Sequence, residues 1–433
     1  MTSADYYYQT PIMKRTLEYL GEAVYVKGSD PNPDTGKRYR RFNDIIHAMG
    51  DGVDLHRSNI DFNSLVLVLD IEYGNRNHPG EIFHKPLETF AKMEPTRENI
   101  SSLLEENGIE SLETMTGQGY NYAMSVPRDS QTYSALLKLG KALRVMPWTA
   151  AKRLLEKQDQ YENLPLLRDH VASTAFGRLN DHIFDRIKND SELEMKTSDI
   201  FDEPEISIFD TTQHGYLLNR RAFRIAYSLH QKFMMHPKYN YQGPAIVTLP
   251  SEGIPLEERA KIRQDERDNY GGAVELARET NTELPCANLT SLITDYLLSE
   301  TFERHKALSQ GLGKGDIDSH EKEYVFRRIE EDLPGITPED IFWDIPDTDW
   351  GYLGSKGLDR EVWEMFNNPN DRLLVPGALR FIIKDMKDKG IQEREIISAI
   401  ANKYDSEHGW PDDLWKNDSL LRAEYWLRTL EMQ

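Results

Sequence analysis

The stretch Leu65-Val66-Leu67-Val68-Leu69-Asp70-Ile71-Glu72 constrains the fold more than any other part of this sequence. Five consecutive aliphatic residues are far too few to span a membrane, and with their β-branched valines they read as a buried strand. That strand ends in two carboxylates two positions apart, so both leave the same face, about 6.6 Å apart along the chain. Two negative groups closing an apolar strand are costly unless something positive compensates, and a divalent cation does this well. A solvated strand end that happens to be acidic is the alternative.

Further strands are predicted at Glu113 to Val126, Glu205 to Asp210, Phe223 to Phe233 and Ala245 to Leu249, alongside the one at Ser64 to Glu72. Helices fall between them at Asn99 to Asn107, Gln131 to Leu143 and Ala150 to Gln158. From Leu256 onward strand signals fade. Leu289 to Leu308, Glu321 to Asp332, Gly377 to Lys389 and Glu393 to Tyr404 then carry helical periodicity, the last two forming a hairpin around Gly390. The fold class expected is α+β, with mixed sheets flanked by helices and an all-helical C-terminal domain. Boundaries are placed at residues 1–260 for the catalytic domain, 261–330 for a helical linker region and 331–433 for the C-terminal domain. Gly311-Leu312-Gly313-Lys314-Gly315 looks like a phosphate loop but has Leu308 where a glycine is needed and no Ser or Thr after the lysine, so it reads as linker. Six of the seven tryptophans fall after residue 340, which suits anchoring of a late core.

A formal net charge of −21 excludes a protein that coats nucleic acid non-specifically, since such binding is driven by Lys and Arg displacing counterions. Nucleic-acid contact has to be local, at Lys37-Arg38-Tyr39-Arg40-Arg41 or between Arg220 and Lys238. One cysteine, Cys286, cannot make an intramolecular disulfide or a Cys-based zinc cluster, so no structural zinc is expected and any catalytic metal sits on oxygen or imidazole. The polar, tyrosine-rich start lacks a secretory core, and a cytoplasmic, nucleoid-associated location without membrane contact is expected.

Arg224-Ile225-Ala226-Tyr227-Ser228-Leu229-His230-Gln231-Lys232 alternates as a strand, with Ile225, Tyr227 and Leu229 on the core face. The opposite face then offers Arg224, Ser228, His230 and Lys232, a row of donors suited to a triphosphate. A half-buried strand with a wet basic face is the other reading. Asp210 closes Glu205-Ile206-Ser207-Ile208-Phe209 as a third carboxylate at a strand end. In Thr116-Gly117-Gln118-Gly119-Tyr120-Asn121 two glycines let backbone N–H groups approach an anion, though such turns also arise for steric reasons alone. His78 and His84 follow the acidic pair around a Pro-Gly turn and read as loop residues more readily than as ligands.

An acidic pair after an aliphatic strand, a Ser/Thr-Gly-x-Gly-aromatic turn, a strand ending in Asp and then Arg-x-x-x-Ser-Leu-His-x-Lys, in that order, resemble the archaeo-eukaryotic primase superfamily. The likeness is nearest to the small catalytic subunit of archaeal and eukaryotic primases and covers roughly residues 60 to 250. It implies a primase-type core working as a template-directed nucleotidyl transferase with two divalent ions, Mg²⁺ or Mn²⁺. Asp70, Glu72 and Asp210 would hold the ions and carry catalysis, while Thr116, Gln118, Asn121, Arg224, Ser228, His230 and Lys232 would bind the nucleotide. Implied partners are a single-stranded DNA template and nucleoside triphosphates, with a second primase subunit or replication proteins beside them.

Three departures from the family pattern stand out. Gln118 and Asn121 occupy places where the family usually has cationic residues, with His214 or Arg220 as candidates to compensate; Glu72 replaces a second aspartate; and the zinc-binding insertion is missing. Losing one cation weakens nucleotide binding by about one to two orders of magnitude if nothing replaces it. Two other readings stay open: a catalytically reduced primase-like module that binds nucleotide or nucleic acid, and a metal-dependent nuclease or phosphohydrolase. The latter uses the same carboxylates but needs no triphosphate-binding strand.

Overall fold

The computed structural model describes residues 2–29, 38–39, 42–147, 150–151, 154–155, 164–197, 203–211, 218, 221–231, 244–249, 254–263, 270–312, 342–343, 348–367, 376–406 and 419–430. Among these the chain is α+β, with mixed sheets and helices and with helices in its C-terminal region. The strands in chain order are β1 (Val26–Ser29), β2 (Arg38–Tyr39), β3 (Asp54–Ser58), β4 (Ser64–Asn75), β5 (Leu112–Met115), β6 (Gly119–Pro127), β7 (Met146–Pro147), β8 (Met195–Lys196), β9 (Glu205–Phe209), β10 (Ala222–Arg224), β11 (Leu229–His230), β12 (Ala245–Ile246) and β13 (Phe342–Trp343).

Two compact units divide the chain. The first gathers residues 1–133, 186–210 and 219–292, and the second 134–185, 211–218 and 293–433. In the first unit the aliphatic run lies in the twelve-residue β4, central in a five-stranded sheet of order β5-β6-β4-β9-β8. All of its inner pairings are antiparallel except β8 with β9. A four-stranded sheet of order β10-β3-β1-β2 and the short pair β11-β12 complete the unit's sheets.

Parity along β4 sorts the two faces. Val66 and Val68 point the same way as Ala123 of β6, and all three enter one core with Tyr6, Tyr7, Leu55, Phe223, Ile225, Tyr227 and Leu229. On the opposite face Tyr120 and Tyr122 alternate with them and meet the helix Pro86–Glu106: Tyr122 Oη donates to the Arg97 carbonyl at 3.0 Å and Tyr120 Oη to the Glu94 carboxylate. A half-buried ion network supports that side. Arg97 bridges Glu94 at 3.0 Å and Glu113 at 3.3 Å, and Arg259 reaches Glu94 at 3.1 Å. Burial pushes the carboxyl of Glu113 above its usual range although Arg97 opposes it.

Some local expectations need correcting. The single strand expected from Glu113 to Val126 is a hairpin, because residues 116–118 turn the chain between β5 and β6. The short helix expected at Asn99 runs instead from Pro86 to Glu106, straight through Pro95. Proline costs a helix one hydrogen bond and some strain; here the buried residues Phe90, Met93, Ile100, Leu103 and Leu104 on one side of the helix hold it continuous. The helix expected from Ala150 falls largely outside the described residues, as the one from Glu321 and Gly313–Gly315 do entirely.

The second unit has the parallel pair β7–β13 and several helices. The expected hairpin is present as Pro376–Asp388 and Glu393–Ser406, with Gly390 between them in the left-handed region that favours glycine (φ 68°). Ile396, Ile397 and Ile400 are buried. The helix Ser419–Leu430 contributes Glu424 and Arg428 to ion pairs with Arg178 and Asp181 of the helix Leu166–Ile187. Asp181 also faces His305 Nε2 at 3.3 Å, and Tyr296 Oη lies 2.6 Å from His305 Nδ1. Burial holds the His305 imidazole well below its usual range, with the neighbouring Arg178 and Arg304 acting in the same direction. Among the described residues no helix is long and apolar enough to cross a membrane.

Close backbone approach at the start of β6 gives a first test. A Cβ on Gly119 would lie 1.8 Å from the Ile71 carbonyl oxygen, closer than any side chain tolerates. Gly119→Ala should therefore force β4 and β6 apart and lower stability by about 2–3 kcal/mol. The measurement is the urea midpoint of the transition that melts the sheet; an unchanged midpoint refutes the approach.

Candidate functional site

The register of β4 brings the candidate carboxylates together. Asp70 pairs with Asn121 of β6 and Glu72 with Gly119, while on the other edge Ile71 pairs with Phe209. The Asp210 N–H donates to the Asp70 carbonyl at 2.8 Å, which carries the β9 pairing one residue further. Directly opposed residues of antiparallel strands share a face. Asn121, Asp70 and Asp210 thus stand in one row across three strands, with Glu72 two residues along from Asp70 on the same face. Val66 and Val68 begin that face inside the core, and the carboxylates continue it outward, each half-buried.

Asn121 is buried, and with its amide oriented so that nitrogen faces the acceptors it donates to Asp70 Oδ1 at 2.6 Å and to the Tyr120 carbonyl at 3.1 Å. A cation at this place would neutralise Asp70; a neutral amide leaves the carboxylate its charge and fixes its direction. The turn before Asn121 is closed by Thr116, whose Oγ1 accepts from the Gln118 and Gly119 N–H groups at 3.1 and 3.0 Å and whose N–H donates to the Gly119 carbonyl at 2.7 Å. Tyr73 N–H donates to the Gln118 carbonyl at 2.8 Å, tying the turn to β4 just beyond Glu72.

The donor row from Arg224 to Lys232 is not the alternating strand expected. β10 stops at Arg224, Tyr227 sits in the left-handed region (φ 61°), and β11 resumes at Leu229 in a different sheet. Tyr227 is clamped at three points: its N–H donates to the Val247 carbonyl at 2.6 Å, its carbonyl accepts from Tyr6 Oη at 2.9 Å, and its hydroxyl lies 2.6 Å from Thr280 Oγ1. Such over-determination is what keeps a bulky residue at positive φ, at a cost of about 1–3 kcal/mol. Ile225 through His230 are all buried, so both alternation faces are covered and burial cannot separate them.

The break gives each donor its own surroundings. Arg224 is 3.5 Å from Asp54, whose other oxygen accepts from the Gln231 N–H at 2.8 Å. Ser228 is fully buried. His230 lies against the glycine turn: a Cβ on Gly117 would be 1.9 Å from His230 Nδ1, and the ring meets Phe83 edge-on at 6.0 Å. Lys232, with His214, Arg220 and Lys238, lies outside the described residues, as do Lys37, Arg40 and Arg41 of the first basic stretch. His78 and His84 are exposed, the first in a loop and the second at the end of the short helix Glu81–His84.

Sequence reasoning missed Asp54, Gln231, Phe83 and above all Arg263, which is fully buried behind the turn. Its segment Leu-Glu-Glu-Arg-Ala-Lys-Ile-Arg reads as a solvated helix, and nothing in that pattern marks a buried guanidinium. Among the described residues no three His, Cys, Asp or Glu side chains are gathered as a ready ion cage. The donor chemistry nevertheless suits hard divalent ions, since three carboxylates occupy neighbouring positions on one face. No protein-family model matches the chain, and no curated protein matches it.

Contact between Gly117 and His230 can be tested without any activity. Gly117→Ala should cost about 1–3 kcal/mol in the native background and much less in His230→Ala, giving a coupling of about 1 kcal/mol or more in a double-mutant cycle. Additive effects would show that the imidazole does not rest on the turn.

Proposed function

We propose that this chain is a template-directed nucleotidyl transferase, a DNA primase or primase-polymerase that synthesises primers on single-stranded DNA from nucleoside triphosphates. The observation that carries the reading is the row Asn121–Asp70–Asp210 with Glu72 beside it, next to a glycine turn on which His230 rests. Asp70, Glu72 and Asp210 would hold two divalent ions, Mg²⁺ or Mn²⁺. The chemistry such ions supply when bound is activation of the attacking 3′-hydroxyl and neutralisation of the leaving pyrophosphate.

The protein's own groups have separate tasks. Asn121 orients the Asp70 carboxylate, the turn presents backbone to the phosphates, and His230 contributes a ring N–H at the same place. Position and electrostatics then account for the rate, as in other phosphoryl and nucleotidyl transfers, with no covalent work for a side chain.

A second reading, a catalytically reduced primase-like module that binds nucleotide or nucleic acid, is favoured by two observations. Arg224 is engaged by Asp54, and Ser228 is fully buried, so two of the expected triphosphate donors are committed within the fold.

Primer synthesis on single-stranded DNA with labelled nucleotides and Mg²⁺ or Mn²⁺ separates the two. The native chain should make primers, Asp70→Ala should abolish them, and His230→Ala should reduce them about 10- to 150-fold, the loss of one hydrogen bond to a charged group. A native chain that neither starts nor extends a primer, yet binds nucleotide in calorimetry, would favour the reduced module.

A further inference from the structure

We propose that Arg263 is the positioning cation of the nucleotide site, fixing the glycine turn directly and His230 through Phe83; this rests on the nucleotidyl-transfer reading above. Arg263 ends the helix Leu256–Arg263 and is fully buried. Its Nη1 donates to the Gly117 carbonyl at 2.7 Å and makes a longer contact of 3.5 Å with the Thr116 carbonyl, while Nη2 donates to the Ile82 carbonyl at 2.9 Å. The guanidinium also lies 4.7 Å from the centre of the Phe90 ring and 5.6 Å from that of Phe83. Phe83 in turn meets His230, and His230 rests on Gly117. Arg263, Gly117, His230 and Phe83 form a closed circuit of contacts.

The direction of these bonds matters for an anion. A trans peptide is planar, so anchoring the carbonyls of Thr116 and Gly117 on Arg263 turns the N–H groups of Gly117 and Gln118 the other way, the Gln118 N–H closing the turn on Thr116 Oγ1 at 3.1 Å and the Gly117 N–H serving the anion. A guanidinium on the carbonyl side polarises both peptides, which strengthens the Gly117 N–H as a donor and tightens the Gln118 N–H bond that closes the turn. The turn carries Gln118 and Asn121 and no cation, and Arg263 supplies a positive charge from behind it. Lysine cannot reproduce the arrangement, because only the planar fork serves separate carbonyls while stacking on aromatic rings.

The experiment is extension of an annealed primer, oligo(dT) on poly(dA), with dTTP and UTP titrated in parallel in Mg²⁺ and in Mn²⁺. It uses the native full chain, Arg263→Lys, Arg263→Met and Phe83→Leu, with thermal unfolding of each as the folding control. Phe83→Leu leaves Arg263 in place and removes the ring that links it to His230. The expected result is a rise in nucleotide KM of about tenfold or more for Arg263→Lys, larger for Arg263→Met, and about three- to tenfold for Phe83→Leu, with kcat changed much less. Folded Lys and Leu variants whose KM stays within about twofold of native overturn the positioning role while leaving the proposed function standing. If both Arg263 variants fail to fold, Phe83→Leu decides in the same way. A native chain with no extension and no nucleotide binding overturns this inference together with the reading it rests on.

Discussion

Backbone hydrogen bonding along both edges of β4 decides whether the candidate site exists at all. The pairing of Asp70 with Asn121 on one side and the 2.8 Å bond from the Asp210 N–H on the other place three side chains abreast. A slip of one residue on either edge would send a carboxylate to the face occupied by Tyr120 and Tyr122. The register is held by the aliphatic run, whose Val66 and Val68 have to enter the core, and by the tight approach of Gly119 to the Ile71 carbonyl. Burial upstream and steric contact downstream bracket the acidic pair between them.

The sequence makes the acidic half of the site legible because a strand has period two. An aliphatic strand followed by Asp-x-Glu needs no tertiary information to put both carboxylates on one face, and Asp210 at the end of a second strand follows by the same reasoning. The donor half is not legible in that way. The alternation from Arg224 to Gln231 is real in the sequence, yet the chain breaks at Tyr227, where a hydroxyl from Tyr6 and another from Thr280 hold a conformation no local pattern announces. Arg263 is hidden for a related reason. Helical charge patterns report which residues can face water, not which arginine finds carbonyls and aromatic rings to bury itself among.

Both units place charges in their interiors, and the partners differ in kind. In the second unit Asp181, Arg178, Glu424 and Arg428 answer one another as ion pairs. In the first, Arg97 and Arg259 are matched with Glu94 and Glu113, whereas Arg263 donates to three main-chain carbonyls. A pair of opposite side chains cancels its own field, while a cation seated on peptide carbonyls projects its field along the peptide dipoles. The latter arrangement is suited to shaping a turn that receives an anion.

The order of strands in the large sheet has a consequence during synthesis. β4 and β6 can pair as soon as residue 127 has been made, but the partner for the other edge of β4, Glu205–Phe209, is translated much later. At about 5–20 residues per second a nascent chain therefore spends seconds with the downstream part of that edge, Ile71 to Asn75, open to any other strand in the cell. Glu72 lies within that section and Asp70 borders it, where their charges discourage a stranger from docking. The same two carboxylates proposed to grip metal in the finished protein would thus guard it while it is still unfinished.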